Sequence, residues 1–384
     1  MHITALLAAI GVLVALVGQS YADEIDWTKV DAALGRTASV QGDVHRYGIP
    51  RSDLHVTVDD VTIQPALALG GWLGFQPAPG GAVVMGDLVL SETEIEPVMT
   101  KLLDSGIDIT ALHNHLLRAN PAIYYMHVHG HGDPVAMATA IRAALAESRT
   151  PFGPPAALAL QTAQIDLDTV ALDNAIGAKG KVNGGVYQFS VPRKDAVMDS
   201  GVAVPPAMGT ATVINFQPTG EGKTAITGDF VITADEVTPL IHALRENGIE
   251  VGFFLQFGYP GETWDDVQKT LKMVRECAPD DIGISVSYPL PGTKFFERVK
   301  LELGEKQNWV DSDDLAMLYR GPFPTEFYRI LHGRVHYEFR LRQALLKRDW
   351  KKIIRLPYYL VGLFISEFRL RRQAGNSQHL VPND

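Results

Sequence analysis

Asp26-Trp27-Thr28-Lys29-Val30-Asp31-Ala32-Ala33-Leu34-Gly35 returns 142 residues later as Asp168-Thr169-Val170-Ala171-Leu172-Asp173-Asn174-Ala175-Ile176-Gly177, and the spacing persists beyond it. Gly42 is matched by Gly184, Val44 by Val186, and Pro50-Arg51 with Asp53 by Pro192-Arg193 with Asp195. Phe75-Gln76-Pro77 corresponds to Phe216-Gln217-Pro218 with one residue of slippage, and Gly86-Asp87 to Gly228-Asp229 at the original spacing. Ordered matches of this kind mark an internal repeat. Each copy is then one supersecondary unit, and two copies are expected to pack about a pseudo-twofold axis.

Within the first copy, Leu54–Val61, Ala66–Phe75 and Ala82–Leu90 are rich in Val, Leu and aromatics and bounded by Gly or Pro, which predicts strands. Ser91-x-x-Glu94 reads as a capping box opening a helix with apolar positions Ile95, Val98, Met99, Leu102 and Leu103, closed by Gly106. Strands over Ile107–Leu116 and Ile123–His131, a turn at Pro121 and a helix over Asp133–Ala146 complete a β-β-β-α-β-β-α unit. The second copy follows this plan as far as Thr233–Asn247 and then departs from it. The expected fold is α+β, with two tandem repeats, the second truncated, and a C-terminal fragment of α/β-to-helical, partial-barrel type. The divisions are a signal peptide over 1–22, repeat one over 23–150, a linker over 151–164, repeat two over 165–250, a C-terminal fragment over 251–345 and a basic amphipathic tail over 346–384.

With 384 residues, 46% of them hydrophobic and 20% charged, the chain has material for two or three domains with their own cores. A net charge of −10 argues against a general nucleic-acid binder, although the stretch from Arg334 to Arg372 turns basic. Residues 3–18 form an apolar run, followed by Ser20, Ala22 and then Asp23-Glu24. That pattern predicts export, with cleavage after Ala22, an uncleaved anchor being the other reading.

The densest chemistry lies in His113-Asn114-His115 and His127-x-His129-x-His131-Gly132-Asp133. Side chains alternate along a strand, so His113 and His115 share a face, as do His127, His129 and His131, the last two lying toward or past the strand end. Paired strands would let both rows converge on one ion, at about 2 Å from each imidazole. His113, His115, His127, His129 and Asp133 are the candidate ligands, zinc being the default and manganese or iron the other choices. Two other readings stand beside this one. The histidines can be polar surface, with Asp133 capping the next helix, or they can sense pH. The letters His-Asn-His do not make an HNH nuclease, whose signature residues are not contiguous.

Gly86-Asp87-Leu88, Pro97-Val98-Met99, Thr110-Ala111-Leu112-His113-Asn114-His115-Leu116-Leu117 and Pro121-x-x-Tyr124-Tyr125-Met126-His127 resemble the LppY/LpqO family over about residues 23–250. The resemblance implies a secreted or lipid-anchored bacterial protein of two repeats and unknown function, at the periplasm or cell surface. No lipobox cysteine accompanies it.

In the second copy, the positions equivalent to His113 and His115 hold Leu255 and Phe257. From Val251 the sequence runs Gly252-Phe253-Phe254-Leu255-Gln256-Phe257-Gly258-Tyr259-Pro260-Gly261-Glu262-Thr263-Trp264. With Asp280-Asp281-Ile282-Gly283 and Asn308-Trp309-Val310-Asp311, this resembles the C-terminal part of cobalamin-binding-type radical S-adenosylmethionine enzymes over about 251–345. Strands over 251–257 and 282–287, a helix over 264–276 and helices from about 294 are expected. Gly258 and Gly261 could let backbone approach a nucleotide cofactor, or serve only the turn. Those enzymes hold their cluster with three cysteines, and Cys277 is the chain's one cysteine, so no iron–sulfur cluster is expected. An exported chain and a low-potential cluster also belong to different redox compartments. Joined near 244–251, the halves read as a fusion of unrelated genes, or as a relative of the radical enzymes whose cluster-bearing part lies elsewhere. Basic residues alternate with apolar ones over 340–372, which suits either an anionic membrane surface or a helix packed with its basic face in water.

Overall fold

The computed structural model describes residues 25–116, 118–152, 165–199, 202–291, 293–306, 315–346 and 350–377. The expected signal peptide and nearly all of the expected linker lie outside the described residues. The protein is a mixed α+β chain that divides into two compact units. One runs to Thr227 without 108–110 and 211–213, and the other comprises those two short segments and 228 onward.

The first unit opens with α1 (Trp27–Leu34), a hairpin of β1 (Ser39–Gln41) and β2 (Val44–Pro50), short strands β3 (Thr57–Val58) and β4 (Val61–Thr62), and one turn of helix, α2 (Pro65–Ala68). It continues through β5 (Gly70–Ala78), β6 (Gly81–Ser91), α3 (Glu92–Asp104), β7 (Asp108–His113), β8 (Ala119–Asn120), β9 (Ile123–Gly132) and α4 (Pro134–Leu145). Six of these strands form one sheet in the order β1-β2-β5-β6-β9-β7. Its helix-covered face buries Leu73, Phe75, Val84, Leu88, Leu90 and Met126, with Ile95, Val98 and Leu102 of α3 and Ile141 of α4 also fully enclosed. The predicted capping box is formed, and the same Glu94 that accepts from the Ser91 amide at 2.8 Å also meets Arg51, 1% exposed, at 2.8 Å.

Two local expectations are corrected. Leu54–Val61 forms only the two-residue strands β3 and β4 around Asp59, whose φ is +50°, and Pro65 at a helix N-terminus delays β5 until Gly70. The β1–β2 hairpin over 39–50 lay outside the predicted strands. Its first strand is three exposed residues, too short to alternate visibly.

A second series follows in similar order: α5 (Thr169–Ile176), β10 (Lys181–Asn183), β11 (Val186–Pro192), β12 (Val197–Asp199), β13 (Val202–Val204), a 3-10 turn (Pro206–Met208), β14 (Ala211–Gly220) and β15 (Lys223–Asp229). Strands β10-β11-β14-β15 make a four-stranded sheet. Asp26 and Asp168 both cap their helices, accepting from the amides of Thr28 and Ala171, and Tyr47 donates to Asp31 as Tyr187 does to Asp173, both at 2.7 Å. The two series exchange hydrogen bonds. Arg46 Nη1 donates to the Ala207 carbonyl at 2.6 Å, and Gln188 Nε2, 142 residues on from Arg46, donates to the Ala66 carbonyl at 2.7 Å.

The second unit contains α6 (Ala234–Glu246), β16 (Gly252–Phe257), α7 (Trp264–Cys277), β17 (Asp281–Val286), α8 (Lys294–Leu303), α9 (Thr325–Leu346), α10 (Trp350–Ile353) and α11 (Leu356–Ser377). β16 and β17 are parallel and joined through α7, as such a pairing requires. Leu255, Phe257, Val267, Ile282, Phe327 and Leu331 are among its core residues.

Candidate metal centre

The site lies on the sheet face opposite α3 and α4. Antiparallel register sets His127 of β9 directly across from Asp87 of β6, and Asp87 across from Trp72 of β5, so the three side chains share that face. Gly86 permits the close approach beside Asp87. A β-carbon there would stand 2.4 Å from the Trp72 carbonyl oxygen and 2.7 Å from the Leu73 side chain, forcing β5 away from β6.

On the other flank of β9, β7 ends at His113, and His115 lies two residues past its end. Ring stacking nevertheless aligns them. The His113 ring is 4.7 Å from that of His115 and 4.8 Å from that of His127, while His115 stacks on Tyr125 at 3.9 Å. Tyr125 is fixed by its hydroxyl, which donates to the Ala68 carbonyl at 2.6 Å, within a small apolar cluster of Val56, Ile63, Leu67, Val89 and Ile123. The aromatic wall thus belongs to a core, and the histidines stand at its edge.

His113 Nε2 and His127 Nε2 are 2.7 Å apart, one imidazole donating and the other accepting. One ring nitrogen from each of His113, His115 and His127 lies within 4.8 Å of the others. Asp87 Oδ1 stands 3.9 Å from the same Nε2 of His127. Ligands about 2.0–2.1 Å from a shared zinc are roughly 3.3 Å from one another, so small rotamer changes close this set on one ion. Arg46 adds a fixed cation nearby: burial draws its guanidinium down to about 10, opposed by the charge of Asp87, and it lies 3.8 Å over the Trp72 ring.

Of the predicted ligands, the structure brings together His113, His115 and His127. His129 faces the same side of β9 opposite Met85, two register pairs from His127, and lies outside the three-histidine group. Both His129 and His131 lie within β9, not past its end, and His131 Nε2 is 2.8 Å from the Pro79 carbonyl. Asp133 caps α4, its Oδ1 accepting from the amides of Val135 and Ala136 at 2.8 and 2.9 Å. Gly258 and Gly261 both take positive φ, +83° and +87°, as turn residues. At Gly258 the space a side chain would need is held by Met317 at 3.0 Å and Tyr328 at 3.5 Å, and its amide donates to Glu262 at 2.9 Å. Cys277 is buried, and one thiol cannot hold a cluster.

Sequence reasoning missed Asp87, Tyr125, Trp72 and Arg46 as site residues. The available signal for Asp87 was a carboxylate placed between apolar neighbours in the strand Ala82–Leu90 and repeated as Asp229. Three imidazoles with an adjacent carboxylate, all three histidines at least partly open to solvent, form a donor set that could hold a divalent metal ion.

No curated protein and no solved structure matches the chain. A family model described as a domain of unknown function, DUF1259, matches residues 28–147 and 170–253, together more than half of the sequence. All three histidines and Asp87 fall in the first matched segment. This chain therefore belongs to the DUF1259 family.

Proposed function

We propose that this chain is an exported envelope protein that holds one divalent ion, zinc in the first instance, between His113, His115 and His127, with Asp87 as the fourth ligand. The observation that carries this reading is the convergence of three imidazole nitrogens within 4.8 Å. Export rests on the apolar run of residues 3–18 and the small residues before Asp23. Membership of the LppY/LpqO group is part of the same reading, supported by the His113-Asn114-His115 and Tyr124-Tyr125-Met126-His127 segments.

In this reading the first unit is a pair of repeats related by a pseudo-twofold. Its best support is the exchange in which Arg46 and Gln188, equivalent positions, each bond the one-turn segment of the other series, at Ala207 and Ala66. The chain beyond about residue 250 is a fused fragment of a barrel, supported by the parallel β16–α7–β17 arrangement and by a family match that stops at residue 253. Leu255 and Phe257, 4% and 1% exposed, stand where a second pair of histidines would be, so one repeat alone carries the site.

The test is metal analysis and titration calorimetry of the purified full chain. About one zinc per chain is expected, and His113→Ala or His127→Ala should each weaken binding by about 100-fold or more. Failure of the wild-type chain to retain or take up zinc, manganese or iron would sink the proposal.

A further inference from the structure

The face of α11 turned away from its own core is apolar. Tyr359, Leu370 and Ala374 point inward and are buried, the last two in the core that includes Phe327, Leu331 and Val335 of α9. On the opposite side, Tyr358, Val361, Ile365 and Phe368 recur at helical spacing and are 60%, 58%, 52% and 66% exposed, with Phe364 beside them at 77% and Ile354, in the turn before the helix, at 70%. A run of exposed apolar side chains on this scale marks a binding surface.

The same stripe borders a groove of about 870 Å³ between α9 and α11, lined by Leu341, Leu345, Leu363 and Phe368 among others. The acidic groups at that groove are already neutralised: Glu338 is paired with Arg334 and Arg342, and Glu367 with Arg334 and Arg371. Cations dominate the surroundings. Residues 347–372 carry eight basic and two acidic side chains; Arg355 and Arg372 are exposed, and so are Arg369 and Arg371, which pair with Glu326 and Glu367 at 2.8 Å. No helix among the described residues is long and apolar enough to cross a membrane.

We propose that α10 and α11 dock this unit on the surface of an anionic lipid bilayer, the apolar stripe entering the boundary between headgroups and acyl chains and the arginines meeting lipid phosphates. Charge selects this occupant over a second copy of the chain. Self-association through the stripe would bring two strongly basic segments together, whereas an anionic surface complements them. The inference does not depend on the metal site.

The experiment is cosedimentation of the full chain with vesicles of phosphatidylcholine alone or with about one third phosphatidylglycerol. At least about tenfold stronger partition onto the anionic vesicles is expected, falling as salt is raised. The double variant Phe364→Ser/Phe368→Ser should lose about tenfold on the anionic vesicles, and so should Arg355→Glu/Arg372→Glu. All four positions are exposed, and an unchanged circular dichroism melt confirms that the fold is kept. Equal binding to both vesicle types, no binding, or a dimer in solution that Phe364→Ser/Phe368→Ser dissolves would each overturn the proposal. The wild-type salt and lipid dependence tests it even without the variants.

Discussion

Asp87 shows how one residue's role depends on partners far away in sequence. Its carboxylate stands 3.9 Å from the imidazole of His127, and its charge acts on the guanidinium of Arg46. Asp87→Asn should lower zinc affinity by about 10–100-fold without unfolding the chain, read by competition with a chromophoric chelator. An unchanged affinity would remove Asp87 from the site. Glu94 offers a second test. Burial pushes its carboxyl up, but bonds from Arg51 and from the Arg149 and Ser91 amides outweigh this and hold it below the usual range. A depressed carboxylate contributes stability that is present above its unfolded value and lost as pH falls through the folded one. Urea midpoints of the wild type should therefore drop between about pH 5 and pH 3, and drop less in Glu94→Gln. At neutral pH, Glu94→Ala leaves the buried Arg51 with Asp53 as its remaining carboxylate beside the Val89 carbonyl, and should cost about 3–5 kcal/mol. Asp195→Ala, which breaks the 3.6 Å contact to Arg193 at a side chain 85% exposed, should cost under about 1 kcal/mol. His113 and His127 were legible from their places on expected strands, but His115 lies past the end of β7 and is aligned by stacking on His113 and Tyr125, not by strand alternation. Asp87 was not legible, because its position opposite His127 is a matter of register between two strands some forty residues apart.

At the scale of elements, local signals translated well wherever a cap or a strong period was written in the sequence. Ser91-x-x-Glu94 opens α3, Thr263 with Asp266 opens α7, and Gly35 and Gly177 close α1 and α5 with φ of 69° and 73°. The stretch 54–62 was misread because the two-residue strands β3 and β4 carry no period and are held only by their neighbours, and the β1–β2 hairpin was not anticipated. One tie across elements is Tyr47, fully buried in β2, whose hydroxyl reaches Asp31 within α1 at 2.7 Å. Tyr47→Phe should cost about 1.5–3 kcal/mol, measured by urea unfolding, since it removes a hydrogen bond to a charged acceptor. A loss under half a kcal/mol, on the order of an exposed hydroxyl's, would show that the tie is redundant.

For the whole molecule, two compact units with their own cores predict two unfolding events. Scanning calorimetry should show more than one transition, with a calorimetric enthalpy above the van't Hoff value for either. Zinc at about 100 times its dissociation constant should stabilise the first unit by about 2.7 kcal/mol and leave the other transition in place. A single two-state transition would contradict the division, and a zinc shift in the wrong transition would misplace the site.

By itself the sequence determined the α+β class, the matching segments 142 residues apart, the change of character near residue 250, the absence of a cysteine set for a cluster and a candidate ligand set of His113, His115, His127, His129 and Asp133. These follow from periodicity, composition and alternation, which are local properties of a chain. Only the tertiary structure decided that Asp87, Trp72 and Arg46 join His127 on one sheet face, that Tyr125 backs His115, that Asp133 is occupied as a helix cap, and that α11 leaves its apolar side uncovered. Strand register, helix docking and burial are set by contacts between residues distant in sequence, and no local pattern encodes which of those contacts is made.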